Sequence, residues 1–332
     1  MPDPHPEASP APVLSVVISI ASDTTEARSA AALESALEAL AHQLDPPSME
    51  VLVPYRPPLD GIEAIQNRFP HVQLLPVTGL PSAPEPGGRE HHDELRASAV
   101  SAARGRIIGL LEDHERADPR WSAAVVEAHR RRFAVIGGAI ENAIDRPLNW
   151  AVYFCDFARY QNPVPDGQAR FASDVNVSYK RSALESVRSV WRQRFSEQEV
   201  HAALLVQGEK LALSPRIVVY QHRSGLRLAA SLRERFIWGR SYAAGRCRLI
   251  APATRAALVL LCPALPALLL LRLAAGVFRK RRCRLAFLRA LPLTLLQLIS
   301  WSCGEWTGYA TGRPGRTPVL HPAPNCSPAA PR

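Results

Sequence analysis

What the chain lacks narrows it first. Its six cysteines, Cys155, Cys247, Cys262, Cys283, Cys303 and Cys326, are scattered along 332 residues without a CxxC pair. Such spacing excludes a zinc knuckle and a disulfide framework, and it suits a reducing compartment. No DNA- or RNA-binding module pattern is present, so nucleic acid is not expected as a partner. The first residues carry no basic stretch ahead of an apolar run, so a secretory signal peptide is not expected. Negative charge is also short: 30 acidic residues face 40 Lys and Arg, a formal net charge of +10. The surplus is mostly arginine beside apolar segments, which points to anionic lipid and phosphate-bearing ligands. With 47% hydrophobic and 21% charged residues, wholesale disorder is excluded.

What is present centres on residues 104–115, RGRIIGLLEDHE. Ile107 to Leu111 is too short for a helix and suits a strand buried on both faces. It ends in Glu112, Asp113, His114 and Glu115, and Asp118, Pro119 and Trp121 then begin a helix. Open α/β sheets place ligand sites where a buried strand empties into polar residues at its carboxyl end. Carboxylates and an imidazole this close together suit a divalent cation that also faces a phosphate.

Upstream, residues 13–20 read as a first buried strand, with Ser22 and Asp23 capping a helix over roughly 24–43. Strands follow at 49–53 and 72–76, a helix ends near Pro70, a Pro- and Gly-rich loop covers 81–88, and 90–103 is helical. This alternation is that of a parallel α/β sheet. Downstream, 122–132 is a helix, 133–140 a strand with two glycines, and 161–167 a turn-rich loop. A helix opens near Phe195-Ser196-Glu197-Gln198-Glu199 and stops at Gly208, and 211–220 is a strand interrupted by Pro215.

In this order the motifs resemble those of the inverting family-2 glycosyltransferases, over roughly residues 13–245. Arg96 stands at the family's arginine, with Ala103 and Gly105 ahead of the strand. Glu112-Asp113-His114 holds the DxD position, and Pro119 and Trp121 follow it. Asn176 with Tyr179, Lys180 and Arg181 resembles the segment beneath the donor sugar. Glu197-Gln198-Glu199 resembles the acidic motif that supplies the catalytic base, His222 closes the following strand, and Phe236, Gly239, Arg240 and Tyr242 match the segment after the domain. There are departures. Tyr55 replaces an acidic residue, Ala97 an asparagine, His114 an aspartate and Gln198 an aspartate, and Ser22 stands where an asparagine is usual.

The resemblance implies a GT-A fold, a Rossmann-like mixed sheet flanked by helices, and transfer of a sugar from a nucleotide-diphosphate donor to a hydroxyl or phosphate acceptor. Glu197 is the expected base, with Glu199 second. Donor contacts are expected from Arg96, Glu112, Asp113, Asn176 and Ser22. Asp113 and His114 are the expected ligands of a divalent cation, manganese or magnesium, and imidazole favours manganese. Glu112 can ligate that cation, hold the ribose or cap a turn.

Residues 256–278 and 285–303 are apolar enough to span a bilayer or lie in its interface, though Pro263, Pro266, Arg272, Arg289 and Pro292 interrupt them. Arginine-rich stretches at 227–255 and 279–284 flank them. Keeping both stretches on the cytoplasmic side favours re-entrant or interfacial helices, on a cytoplasmic catalytic domain at the inner (plasma) membrane. The expected organisation is a Pro-rich lead at 1–12, a catalytic domain at 13–225, a basic juxtamembrane segment at 226–255, two hydrophobic membrane helices at 256–310 and a disordered tail at 311–332. The expected partners are a nucleotide-sugar donor, a lipid-linked or glycan acceptor and membrane lipid, as in cell-envelope polysaccharide or glycolipid synthesis. The alternative is a degenerate relative that binds a nucleotide or a protein partner without turnover.

Overall fold

A computed structural model of the chain describes residues 11–20, 30–80 and 91–314. The short apolar runs form its strands. β1 (Leu14–Ser19) and β4 (Ile107–Glu112) have every residue buried. Strands with no polar face need cover on both sides. β1 lies between β2 (Met49–Tyr55) and β4, parallel to both, and β3 (Gln73–Pro76) extends the sheet beyond β2. The connections run through α1 (Ala31–Ala41), α2 (Ile62–Arg68) and α3 (His92–Ala102). The expected parallel alternation therefore holds up to β4. The caps expected at Ser22 and Asp23, and the loop at 81–88, lie outside the described residues.

Beyond β4 the sheet becomes mixed. β8 (Val177–Lys180) runs antiparallel between β4 and β6 (Val135–Asn142), and β9 (Leu211–Gln221) runs parallel to β6. Two three-residue strands, β5 (Glu115–Ala117) and β7 (Gly167–Ala169), pair antiparallel to opposite ends of β9. The order is β3-β2-β1-β4-β8-β6-β9-β5. The chain leaves β1 toward one edge and returns to its other side as β4, so the strand order reverses there. Ser19 and Glu112 face each other in register at the carboxyl ends of these two strands. Such a switch point opens the crevice in which α/β sheets bind ligands.

One irregularity in the second half has a clear cause. Between β6 and β9 the register jumps from Gly138↔Ser214 to Ala139↔Val218, so Pro215, Arg216 and Ile217 bulge outward. Proline has no N–H for the ladder. The side-chain amide of Asn176 repairs the gap by donating to Ala139 O at 2.9 Å and Ile217 O at 3.1 Å. Gly138 is required beside it, because a Cβ there would meet Ile217 O at 2.1 Å.

The remaining helices cover the sheet and continue beyond it. α4 (Trp121–Ala128), α5 (Pro147–Phe157), α6 (Arg181–Ser186), α7 (Arg188–Trp191) and α8 (Glu197–Val206) precede a C-terminal helical unit. That unit comprises α9 (Leu228–Arg246), α10 (Pro252–Leu261), a 3-10 turn at Cys262–Ala264, α11 (Leu265–Lys280) and α12 (Arg284–Thr311). α9 and α12 run side by side in the same direction, joined by Gln297 to Ser231 at 2.8 Å and Arg246 to Tyr309 at 2.8 Å. Glycines let the two backbones touch: a Cβ at Gly239 would lie 2.3 Å from Trp301 O, and one at Gly304 would lie 2.1 Å from Phe236 O. Nearer its start, α12 packs on α5, with the Phe154 and Phe287 rings edge to face at 5.2 Å. The basic helix α9 and the second hydrophobic helix are thus one packed pair.

Gly304→Val is expected to separate α9 from α12 at a cost of about 1–3 kcal/mol or more, the usual range for forced overpacking. A lower melting temperature in detergent, with new proteolytic cleavage in α9, is the expected result.

Candidate functional site at the carboxyl ends of the central strands

As β4 ends, successive side chains turn to opposite sides. Glu112 and His114 line a cavity of about 340 Å³, whereas Asp113 is not part of its wall and is fully buried. The Asp113 N–H donates to Ser19 O at 3.0 Å, tying the β4 terminus to β1. The imidazole of His114 lies between two carboxylates, with Nδ1 3.2 Å from Asp113 Oδ1 and Nε2 3.3 Å from Glu112 Oε2. Glu115 accepts the Glu112 N–H at 2.9 Å and the Gln221 amide. Burial, reinforced by the neighbouring Glu112 charge, raises its pKa well above the ordinary carboxylate range. β5 also places the His222 N–H 2.7 Å from His114 O, fixing the acidic turn against β9.

Arg96 lies beneath this turn with no exposed surface. Its Nε donates to Ser19 Oγ at 3.1 Å and its Nη2 to Asp174 O at 3.0 Å. Three carboxylates surround the guanidinium: Glu112 and Asp174 at 3.9 Å and Glu197 at 3.8 Å. Burying these groups is costly unless they stay together, so they hold four elements in one place.

Glu197 is the first residue of α8, where the helix dipole favours an ionised carboxylate. Its surroundings override that preference. Burial, and then the Asp174 charge, push its pKa up to about 8, against the opposing pull of Arg96. Its side chain keeps 13% exposure and opens into the cavity. A carboxyl group with a pKa near the working pH is suited to moving a proton.

The rest of the wall comes from later in the chain. Tyr160, Phe171 and Asp174 belong to the segment between α5 and β8, His201 to α8, Arg235 and Trp238 to α9, and Trp301 to α12. His201 is held by the Tyr179 hydroxyl at 2.9 Å, and burial lowers its pKa to about 4, so it is a neutral wall group near pH 7. The C-terminal helical unit therefore completes the cavity.

The residues expected from the sequence take these places in the geometry. Asp113, expected as a metal and donor ligand, sits behind the wall and braces His114, while Glu112 faces the cavity beside the imidazole. Arg96, expected to grip a donor phosphate, is enclosed by protein groups and holds the carboxylates. Asn176 uses its amide N–H groups on the bulge, and its oxygen accepts the Trp121 indole N–H at 3.0 Å. Glu199 lies two residues beyond Glu197, on another face of α8, and is exposed to solvent. Ser22 lies outside the described residues. Lys180 and Arg181 bind backbone carbonyls of Arg131 and Gly105 at 2.8 Å each. Asp174 and the arginines of the wall stand outside the motifs in the sequence. Asp174 carried one usable signal, its place two residues before Asn176. The arginines carried none, because long-range folding alone gathers them.

No protein-family model matches the sequence, and neither does any curated protein. Among solved structures, the chain is similar to the mannosyltransferase PcManGT from Pyrobaculum calidifontis, in complex with GDP-Man and Mn2+. Identity is 15% and the TM-score 0.42, covering 92% of this chain and 74% of that one. It is also similar to TarS from S. aureus, at 13% identity and a TM-score of 0.43, covering 67% of this chain. The chain spans 39% of the length of TarS. Likeness at this level leaves the function to be read from the residues themselves.

Glu112 and His114 offer the cavity a carboxylate and an imidazole, a pair that suits manganese better than magnesium. Acidic groups outnumber the single Arg96 guanidinium here, so a cation is electrostatically favoured. Among the described residues no three His, Cys, Asp or Glu side chains converge as a ligand set. A cation at this place therefore needs water and substrate phosphate oxygens to complete its shell.

The raised pKa of Glu197 also bears on stability. Its folded-state pKa of about 8 lies above the 4.5 of an ordinary glutamate, so its stabilising contribution is complete below 4.5 and is lost as pH rises through 8. Glu197→Gln removes that loss. The melting temperature of the variant is expected to rise relative to the parent between pH 4.5 and pH 8, as read by thermal melts across that range.

Proposed function

We propose that the protein is a membrane-associated, metal-dependent glycosyltransferase that moves a sugar from a nucleoside-diphosphate donor to an acceptor hydroxyl. The observation that carries this reading is the position of Glu197. It is a carboxyl group with a pKa of about 8, facing the same cavity as Glu112 and His114 at a sheet switch point. One group suits proton removal and the other pair suits the charged end of a sugar diphosphate.

In the proposed reaction, ionised Glu197 takes the proton of the acceptor hydroxyl as its oxygen attacks the anomeric carbon. The bond from that carbon to the donor diphosphate breaks, and the nucleoside diphosphate departs with the electron pair. Attack from the face opposite the leaving group inverts the anomeric centre. Arg96 holds Glu197 in place through its 3.8 Å approach. Glu112 and His114 are the residues that would hold a divalent cation, which supplies Lewis-acid neutralisation of the leaving diphosphate. Trp238 and Trp301 shield the site from water on the side of the helical unit.

Membrane association rests on the outer surface of that unit. The helical stretches Pro252–Lys280 and Arg284–Thr311 are long and apolar enough to cross a membrane. Leu260, Leu261, Leu268, Leu271, Leu285 and Leu288 are exposed upon them. A contiguous exposed apolar surface of this kind requires a partner, and lipid fits its length and composition. The basic turn between the helices is fixed to the catalytic part. Lys280 donates to Arg159 O at 2.9 Å, and Arg282 lies 2.7 Å from Glu141. This basic turn thus sits on the catalytic side, in keeping with a cytoplasmic catalytic domain at the inner (plasma) membrane. Sugar and nucleotide base are left open by this reading.

Calorimetric titration of detergent-solubilised protein with UDP and GDP, with and without manganese, tests the donor half. Metal-dependent binding that His114→Ala weakens about tenfold or more is expected. Binding that ignores both metal and His114 would remove the donor site from the acidic turn. For the acceptor half, Glu197→Gln is expected to lower turnover by about 10²- to 10⁴-fold while leaving nucleotide affinity intact. In the parent enzyme, kcat/KM should rise with pH and level off above about 8. Nucleotide binding with no turnover in the parent, on any acceptor offered, would favour the degenerate binding protein.

A further inference from the structure

Besides its acidic end, the cavity has a cationic one. Arg159, Arg170, Arg223 and Arg235 line it. Two of these have acidic neighbours: Arg235 pairs with Asp156, and Arg223 lies 3.7 Å from Glu234. Arg159 and Arg170 have no carboxylate at ion-pair distance among the described residues. Arg159 is instead stacked on Phe171, with its guanidinium carbon 5.1 Å from the ring centre. Its side chain also bonds Tyr160, and a guanidinium held by its face keeps its remaining edge N–H groups available for an anion. Arg170 is exposed, one residue before Phe171 in the chain.

The neighbouring wall decides which anion fits. Trp238 and Trp301 bring α9 and α12 to the cavity, and the opposite side of α12 carries exposed Leu295, Leu296 and Ile299. A molecule that reaches the site along these helices comes from the membrane surface. The Arg159 backbone also accepts a hydrogen bond from Lys280 at the end of α11, so the cationic end adjoins the basic turn between the two apolar stretches. Apolar and aromatic lining beside guanidinium groups that have no carboxylate partner matches a molecule with a hydrocarbon tail and a phosphate head.

We propose that Arg159 and Arg170 bind the phosphate or diphosphate of a lipid-linked acceptor, and so present its sugar hydroxyl to Glu197. This rests on the transferase reading for its purpose, but its test measures binding alone. The probes are farnesyl diphosphate, farnesol and inorganic pyrophosphate, titrated calorimetrically into the full chain in neutral-lipid nanodiscs with EDTA and no donor. Farnesyl diphosphate is expected to bind about tenfold or more tighter than either other probe. Arg159→Gln with Arg170→Gln should lose that advantage, and Arg170→Gln alone, at an exposed position that folding does not need, should lose part of it. Arg130→Gln, in the exposed turn after α4 and outside the cavity wall, should lose none.

Equal binding of farnesol would overturn the role of the phosphate. Equal binding of pyrophosphate would overturn the lipid source and assign the arginines to a free or nucleotide diphosphate. Undiminished binding in the double variant would overturn the arginine site. Each result is independent of whether Glu197→Gln abolishes transfer, so failure here and failure of the transferase reading can be told apart.

Discussion

A single guanidinium taken out of water underlies the arrangement of this molecule. Arg96 is fully buried and reaches Ser19 on β1, Glu112 on β4, Asp174 ahead of β8 and Glu197 at the start of α8. Removing such charges from water costs several kcal/mol each, and only their mutual approach offsets it. The cluster therefore holds the strand ends, the loop before β8 and the head of α8 in one geometry. One positive charge against three carboxylates also leaves the site with excess negative charge. Burial, and then that excess, raises the pKa of Glu197. Architecture and proton chemistry have the same electrostatic origin.

The second constraint is the contact between α9 and α12. Gly239, Gly304 and Gly308 let the helices approach until backbone meets backbone, and α12 continues onto α5 through Phe287 and Phe154. One side of α12 is thereby given to protein along its length while the other remains apolar and exposed. The same pair contributes Arg235, Trp238 and Trp301 to the cavity. The surface suited to lipid and the wall of the site are opposite sides of one packed unit.

Local pattern foretold much of this. The strands at 14–19, 49–55 and 107–112 follow from apolar runs too short for helices, and α8 begins at Glu197, where its acidic first turn suggested. The three-residue strands β5 and β7 escaped notice, because a pairing that short leaves no periodicity in the sequence. Asn176 was chosen as a donor ligand because its neighbours fit a motif. Its amide instead serves a bulge made by Pro215, a partner 39 positions later that no local pattern connects to it.

By itself the sequence determined which segments become buried strands, where acidic residues end the central one, and which stretches are apolar enough to seek lipid. Those properties depend on neighbouring residues and on solvent transfer, so they are written locally. Only the tertiary structure decided which member of each motif faces the cavity. It turned Asp113 away and Glu112 inward, enclosed Arg96 among carboxylates, set Glu197 rather than Glu199 in the wall, and brought Arg159, Arg170, Arg235 and Trp301 to one place. Side-chain direction at a strand end, and the electrostatic field on a buried carboxyl group, depend on groups far apart in the chain. Both come into being only when the sheet and helices close around them.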